Sequence, residues 1–208
     1  GSVLAAPVFS RPGSENSQGF FVSGDSYGAG VSSSSLNAAH QQFSWPNILA
    51  RQAGALDFQQ PLVSDPGIGP ELQVTNIINF PPTVVPKATT NGQPINLNLP
   101  RPYNNLSIPG ANVNDVITLT GKEQATNTAK TFAQFILRGL GTPVQQVIAS
   151  QPTFIAVWIG GNDALGAVLS GTPAALPSTA NFTRASTPLL AQPIPSAPTA
   201  RPVVRHVP

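Results

Sequence analysis

One serine of this chain lies in a pattern that is typical of an enzymatic nucleophile. Residues 24–28 read Gly-Asp-Ser-Tyr-Gly, which matches G-x-S-x-G with Ser26 at its centre. A serine in this pattern sits at a sharp turn after a strand, where small neighbours let the backbone bend and a substrate approach. The apolar residues 19–23 predict such a strand directly before it. The pattern alone is also compatible with a glycine-rich turn or a phosphate-binding loop, although no P-loop lysine follows.

Two later segments make the interpretation of Ser26 more specific. Residues 107–111 read Ser-Ile-Pro-Gly-Ala, and residues 158–163 read Trp-Ile-Gly-Gly-Asn-Asp after a continuous apolar run. Gly-Asp-Ser after the first strand, followed by these two segments in this order, resembles the three conserved blocks of the SGNH (GDSL-like) hydrolases. Residues 44–50, Ser-Trp-Pro-Asn-Ile-Leu-Ala, also resemble the helix after the first loop in secreted bacterial members.

This resemblance, which covers about residues 19–169, implies a serine carboxylic ester hydrolase. It implies that Ser26 attacks the ester carbonyl, and that the backbone N–H groups of Ser26 and Gly110 and the side-chain amide of Asn162 stabilise the oxyanion. In such a site, removal of one donor costs about 10²–10³ in rate. It implies no cofactor and no metal. We expect short-acyl esters as substrates, because the sequence has no evident large apolar lid.

The base that should activate the serine is not evident in the sequence. The family places it near the C-terminus in D-x-x-H, but here the residue three positions before His206 is Val203. We take His206 as the candidate base, in its own chain or from another subunit, and a site without a proper base is the third alternative. The other histidine, His40, is expected to be a solvated loop residue. The orienting acid stays open among Asp25, Asp57, Asp65 and Asp163.

Strand and helix patterns that alternate along the chain predict the scaffold that positions these residues. They predict an α/β fold with a parallel sheet. The resemblance further implies three α/β/α layers of the flavodoxin-like SGNH type, incomplete at the C-terminus. Strands are predicted at 19–23 and 152–159, with a short strand or turn at 103–108. Helices are predicted at about 43–54, 113–119, 123–140, 143–148 and 164–169.

The chain divides into a hydrolase-like domain over residues 1–170 and a Pro/Ala-rich arm over residues 171–208. An irregular insertion with one hairpin is expected at about 57–102, where proline and glycine interrupt every apolar run. The arm reads as coil. Because a sheet that lacks its last strands leaves an exposed edge, we expect a homo-oligomer that covers this edge.

Composition excludes several other classes of protein. Only 9% of the residues are charged, the formal net charge is +2, and the basic residues are scattered, so nucleic acid is not an expected partner. There is no cysteine to form disulfides or thiolate sites. No apolar stretch is long enough to span a bilayer. A secreted or periplasmic location is expected.

Two alternatives to the esterase remain. One is a catalytically impaired or inactive remnant that acts as a binding or structural module, which the missing D-x-x-H favours. The other is a carbohydrate O-acetyl esterase. Against it, the aromatic residues that could hold a sugar are few and scattered in the sequence: Tyr27, Trp45, Tyr103 and Trp158.

Overall fold

A strand at the centre of a small parallel sheet precedes the candidate nucleophile. The computed structural model describes residues 19–78 and 80–190. Strand β1, Phe20–Gly24, pairs in parallel with a second strand, Phe154–Trp158, in a register from Phe20 opposite Phe154 to Gly24 opposite Trp158. On its other side β1 bonds to the extended residues 104–108. The fold is therefore mixed α/β with a parallel sheet, which confirms that part of the prediction.

The helices and the remaining strands follow the order of the chain. The helices are α1 (Ser26–Ala29), α2 (Ala38–Gln41), α3 (Trp45–Gln52), α4 (Asp115–Thr118), α5 (Thr128–Leu137), α6 (Pro143–Ser150), α7 (Gly161–Ser170) and α8 (Thr179–Leu190). Strands β2 (Leu72–Asn76) and β3 (Thr83–Pro86) form an antiparallel hairpin, and β4 is the strand Phe154–Trp158. None of the described helices is long and apolar enough to cross a membrane.

Side chains on the two faces of β1 enter two different apolar clusters. Phe21 belongs to the larger cluster, together with the buried residues of α5 and α6. Phe20 and Val22 belong to the smaller one, with Ala50 of α3. Successive side chains of a strand point to opposite faces, so these two clusters hold β1 between helices on both sides and fix the position of the turn after it.

Helix α5 is shorter than predicted, because a carboxylate closes a turn where the helix was expected to begin. The Glu123 carboxylate accepts hydrogen bonds from the N–H groups of Thr120 and Gly121 and from the Thr120 hydroxyl. Although burial opposes it, these hydrogen bonds lower the pKa of Glu123 to about 2. The helix instead begins after Asn127, whose side chain caps it by accepting the Lys130 N–H.

The insertion at 57–102 contains the expected hairpin and is tied to the rest of the chain by arginines. The Arg138 guanidinium donates to the carbonyl oxygens of Leu97, Leu99 and Arg101 and stacks 4.3 Å from the centre of the buried Tyr103 ring. These contacts give the end of an otherwise irregular segment a defined path, and they lead it into residues 104–108 beside β1.

The prediction of coil after residue 171 is wrong for residues 179–190, which form α8. Ala185 of this helix is fully buried in the larger apolar cluster, and Phe182 packs against that cluster. Tertiary packing of this kind outweighs the weak helix propensity of the segment, which contains Pro188. Residues 191–208, and with them His206, lie outside the described part of the chain.

Candidate functional site

The three segments singled out in the sequence meet at one edge of the sheet. Val22 N–H donates to Asn104 O at 2.8 Å, Leu106 N–H donates to Val22 O at 2.8 Å, and Ile108 N–H donates to Gly24 O at 2.9 Å. Residues 104–108, β1 and β4 thus run side by side in one direction. Their carboxyl ends, where ligands bind in open α/β sheets, lead directly into the turns that carry Ser26, Gly110 and Asn162.

Ser26 is the first residue of α1, in a turn that Asp25 holds. The Asp25 side chain is buried and accepts the Tyr27 N–H at 3.0 Å, while Gly30 N–H donates to Ser26 O at 3.1 Å. The Asp25 carboxylate thus stabilises the turn by accepting a backbone amide. The turn leaves the Ser26 side chain half-buried, at the surface above the sheet edge.

Both glycines that flank Ser26 are required by close contacts with the other two segments. A Cβ at Gly24 would lie 2.6 Å from the carbonyl oxygen of Trp158 and 3.1 Å from the Ser107 hydroxyl oxygen. A Cβ at Gly28 would lie 2.3 Å from the same hydroxyl oxygen. The G-x-S-x-G pattern therefore lets the nucleophile turn pack directly against the second and third segments.

A side-chain hydrogen bond joins the second segment to the third. The Asn162 amide donates to the carbonyl oxygen of Ala111 at 2.7 Å, next to Gly110. Gly110 is exposed and has a φ of +80°, a left-handed conformation that favours glycine. Because an amide NH2 has two hydrogens, this contact fixes the orientation of Asn162 and leaves its second hydrogen for another acceptor.

Asp163 lies in the first turn of α7, where it binds a neighbouring loop and does not cap the helix. The N-cap of α7 is Gly160, and the Asp163 carboxylate instead accepts the Val113 N–H at 2.9 Å. Burial raises the pKa of Asp163 and that of Asp25, and the pKa of Asp25 is raised further by the charge of Asp163. The buried carboxylate of Asp25 and the half-buried carboxylate of Asp163 therefore support the turns on either side of the sheet edge.

The structure assigns His40 a partner that the sequence did not indicate. His40 lies on α2, and its Nε2 is 2.9 Å from the Glu71 carboxylate of the insertion. Lys87 lies 3.5 Å from Glu71 and 3.0 Å from Asp65. The expectation of a solvated loop residue is thus replaced by a partly exposed charge network between α2 and the insertion. The distances along the sequence gave no signal for it.

A shallow cleft of about 270 Å³ is lined by Tyr27, the residue after Ser26, and by several other rings. Its walls include Tyr27, His40, Phe43 and Trp45. Tyr27 and Trp45, which are far apart in the sequence, thus line the same cleft. Phe43 was missed as a site residue, although its side chain is 66% exposed. These rings come together through the tertiary contact between α1 and the α2–α3 segment, which the sequence alone does not predict.

Among residues 19–78 and 80–190, no group of three or more His, Asp or Glu side chains could hold a metal ion. A scan against protein-family models and searches of curated proteins and of solved structures found no match to this chain.

Proposed function

We propose that this chain is a serine carboxylic ester hydrolase of the SGNH type, with Ser26 as nucleophile. The observation that carries the proposal is the meeting of three turns at one sheet edge, where Asn162 donates to Ala111 at 2.7 Å. In this mechanism the Ser26 hydroxyl adds to the ester carbonyl. The N–H groups of Ser26 and Gly110 and the second amide hydrogen of Asn162 then stabilise the oxyanion.

The proton of the serine requires a base, for which we keep His206 as the candidate. In this proposal the histidine acts on Ser26 of its own chain or of a neighbouring subunit. An ester with a good leaving group depends least on the protonated histidine as an acid, because an activated phenolate leaves without a proton. The proposed substrates are short-acyl esters.

A second candidate within the same chemistry is the removal of acetyl groups from carbohydrates. The observation that supports it is the cleft whose walls include Tyr27, the residue after Ser26, together with Phe43 and Trp45. Exposed aromatic faces stack on the apolar faces of sugar rings, and Tyr27 is 72% exposed. Hydrolysis of acetylated xylan that falls in a Tyr27→Ala variant, with hydrolysis of p-nitrophenyl acetate retained, would favour this candidate.

Hydrolysis of p-nitrophenyl acetate and butyrate tests the main proposal. The Ser26→Ala variant should lose this activity, whereas Ser170→Ala, which removes an exposed hydroxyl at the end of α7, should retain it. Equal rates for Ser26→Ala and the parent chain would instead favour a non-catalytic binding or structural module. A His206→Ala variant with unchanged kcat would remove His206 from the mechanism.

We also propose the finer fold and the assembly that the sequence suggested. The sheet would form the middle layer of an α/β/α sandwich. Within the described residues β4 pairs only with β1. The neighbouring helix α7 exposes Leu165, Val168 and Leu169. A second copy that covers this edge would bury these side chains. Light scattering that gives a stable monomer at micromolar concentration would contradict the assembly.

A further inference from the structure

The tip of the β2–β3 hairpin exposes several large apolar side chains close to one another, which is unusual for the surface of a folded protein. Ile77 is 80% exposed, Ile78 is 91% exposed and Phe80 is 100% exposed. Val74 and Val84, which face each other lower in the hairpin, are half exposed. Single exposed apolar residues are ordinary, but a contiguous group of them marks an interaction surface.

The hairpin projects from the chain and does not form a groove. Among the described residues its two strands pair only with each other, and almost all of their own residues are exposed. Its root is held by backbone hydrogen bonds from Leu72 N–H to Ser33 O and from Lys87 N–H to Glu71 O. A convex apolar tip on an anchored root suits insertion into another phase better than the capture of a peptide.

The charges of the hairpin indicate which kind of surface it suits. Residues 72–86 contain no Asp, Glu, Lys or Arg. At the root, Lys87 pairs with Asp65 and Glu71, so its charge is balanced. There is consequently no cluster of basic residues to attract anionic headgroups and no acidic residue at the tip to be repelled by a bilayer. This favours an electrically neutral, zwitterionic lipid surface.

Part of the backbone of the tip has no free N–H group, which suits a medium poor in water. Unpaired N–H groups are costly in such a medium. The Ile78 N–H donates to the Asn76 side chain at 2.8 Å, and Pro81 and Pro82 have no N–H at all. At these three positions, insertion would therefore leave no backbone N–H group without a partner.

We propose that Ile77, Ile78 and Phe80 insert into the headgroup region of a zwitterionic lipid surface and hold the chain there. The hairpin root lies next to the candidate site, since Glu71 binds His40 in the wall of the cleft that Tyr27 shares. Docking would thus bring the cleft close to the lipid surface. The inference stands on the hairpin alone and does not depend on the proposed esterase activity.

Co-sedimentation with phosphatidylcholine vesicles tests the proposal. The parent chain should bind, and the Ile78→Ser/Phe80→Ser variant should bind at least about tenfold more weakly, because two apolar side chains no longer enter the interface. Leu56→Ser is the matched control, since Leu56 is 90% exposed but lies outside the hairpin; its binding should equal that of the parent. Circular dichroism and p-nitrophenyl acetate hydrolysis should be the same for all three proteins.

Further measurements distinguish the lipid from other occupants of the tip. Binding should change little with salt or with added phosphatidylserine, because no charge pairing is involved. A parent chain that does not bind vesicles, or a double variant that binds as well as the parent, would overturn the proposal. The proposal would also be overturned if the parent did not bind vesicles but self-associated, and the double variant no longer self-associated. The tip would then dock on a second copy of the chain.

Discussion

Gly28 and Ser107 lie so close that a methyl group on Gly28 would come within 2.3 Å of the Ser107 hydroxyl oxygen. The Ser107 hydroxyl is buried and has no hydrogen-bond partner among the described residues. The contact ties the nucleophile turn to the segment that carries Gly110. Packing against Ser107, and not backbone conformation, is what excludes a larger residue at Gly28, because this glycine is helical within α1.

Gly28→Ala should lower the free energy of unfolding by about 1–3 kcal/mol, the usual cost of overpacking. Ser107→Ala is the matched variant, because it removes only an unpaired hydroxyl, and we expect a change below about 1 kcal/mol. The double variant should recover part of the loss, since the nearest contact is gone. Urea denaturation measures all three. A Gly28→Ala variant as stable as the parent would contradict the close contact.

Asn162→Ala should lower kcat for p-nitrophenyl butyrate by about 10²–10³, because one oxyanion donor is lost. The same change removes the hydrogen bond to Ala111, so the melting temperature must be measured beside the rate. A rate loss with KM nearly unchanged and with the fold intact supports a role in the transition state. If activity follows only the fraction of folded protein, Asn162 is a structural residue.

Asp25 should affect stability in a pH-dependent way. Burial raises the pKa of Asp25 above its ordinary value of 3.8, and the nearby Asp163 raises it further. The protonated acid is therefore favoured in the folded state, and this contribution is lost as the pH rises from 3.8 through the raised pKa. Asp25→Asn, whose side-chain oxygen can still accept the Tyr27 N–H, should be more stable than the parent at neutral pH and equal to it in acid.

Asp25→Ala is the control for this pH experiment. It removes the charge but also the cap of α1, so it should lose about 1 kcal/mol relative to Asp25→Asn at every pH. Urea denaturation between acid and neutral pH gives the comparison. A stability difference between the parent and Asp25→Asn that does not change with pH would mean that Asp25 has an ordinary pKa.

His40 should contribute to the attachment of the insertion and not to hydrolysis. His40→Ala and Glu71→Gln both remove the 2.9 Å contact, and because the pair is partly exposed we expect each to cost less than about 1 kcal/mol. Both variants should keep the kcat of the parent for p-nitrophenyl acetate. A His40→Ala variant as inactive as Ser26→Ala, with an unchanged melting temperature, would make His40 the base in place of His206.

Sequence patterns correctly predicted those strands and helices that are determined by their own residues. The apolar runs became β1 and β4, and Pro46 and Pro143 stand in the first turns of α3 and α6 as helix-start signals require. The parallel sheet followed from the alternation of strands and helices. The three site segments could be predicted to meet because each follows a strand, and parallel strands end at the same edge.

Features that depend on distant contacts could not be predicted in this way. Helix α8 forms where Ala185 packs into the apolar core, and the residues of the helix alone do not predict this packing. The cleft brings Phe43 next to Tyr27 through the packing of short helices. The pair of His40 and Glu71 joins residues 31 positions apart. Each of these is specified by tertiary structure alone.

The order of the sheet has a consequence for how quickly the chain folds. Thr153 at the start of β4 bonds to Gly19 at the start of β1, although 134 positions separate them. Closing so long a loop costs conformational entropy before the contacts that stabilise it have formed, and folds rich in such distant pairings form slowly. Helices α3, α5 and α6 can form early, but the turns of Ser26 and Asn162 become neighbours only when this loop closes. Regain of the proposed esterase activity after dilution from denaturant should therefore lag behind the regain of helical signal.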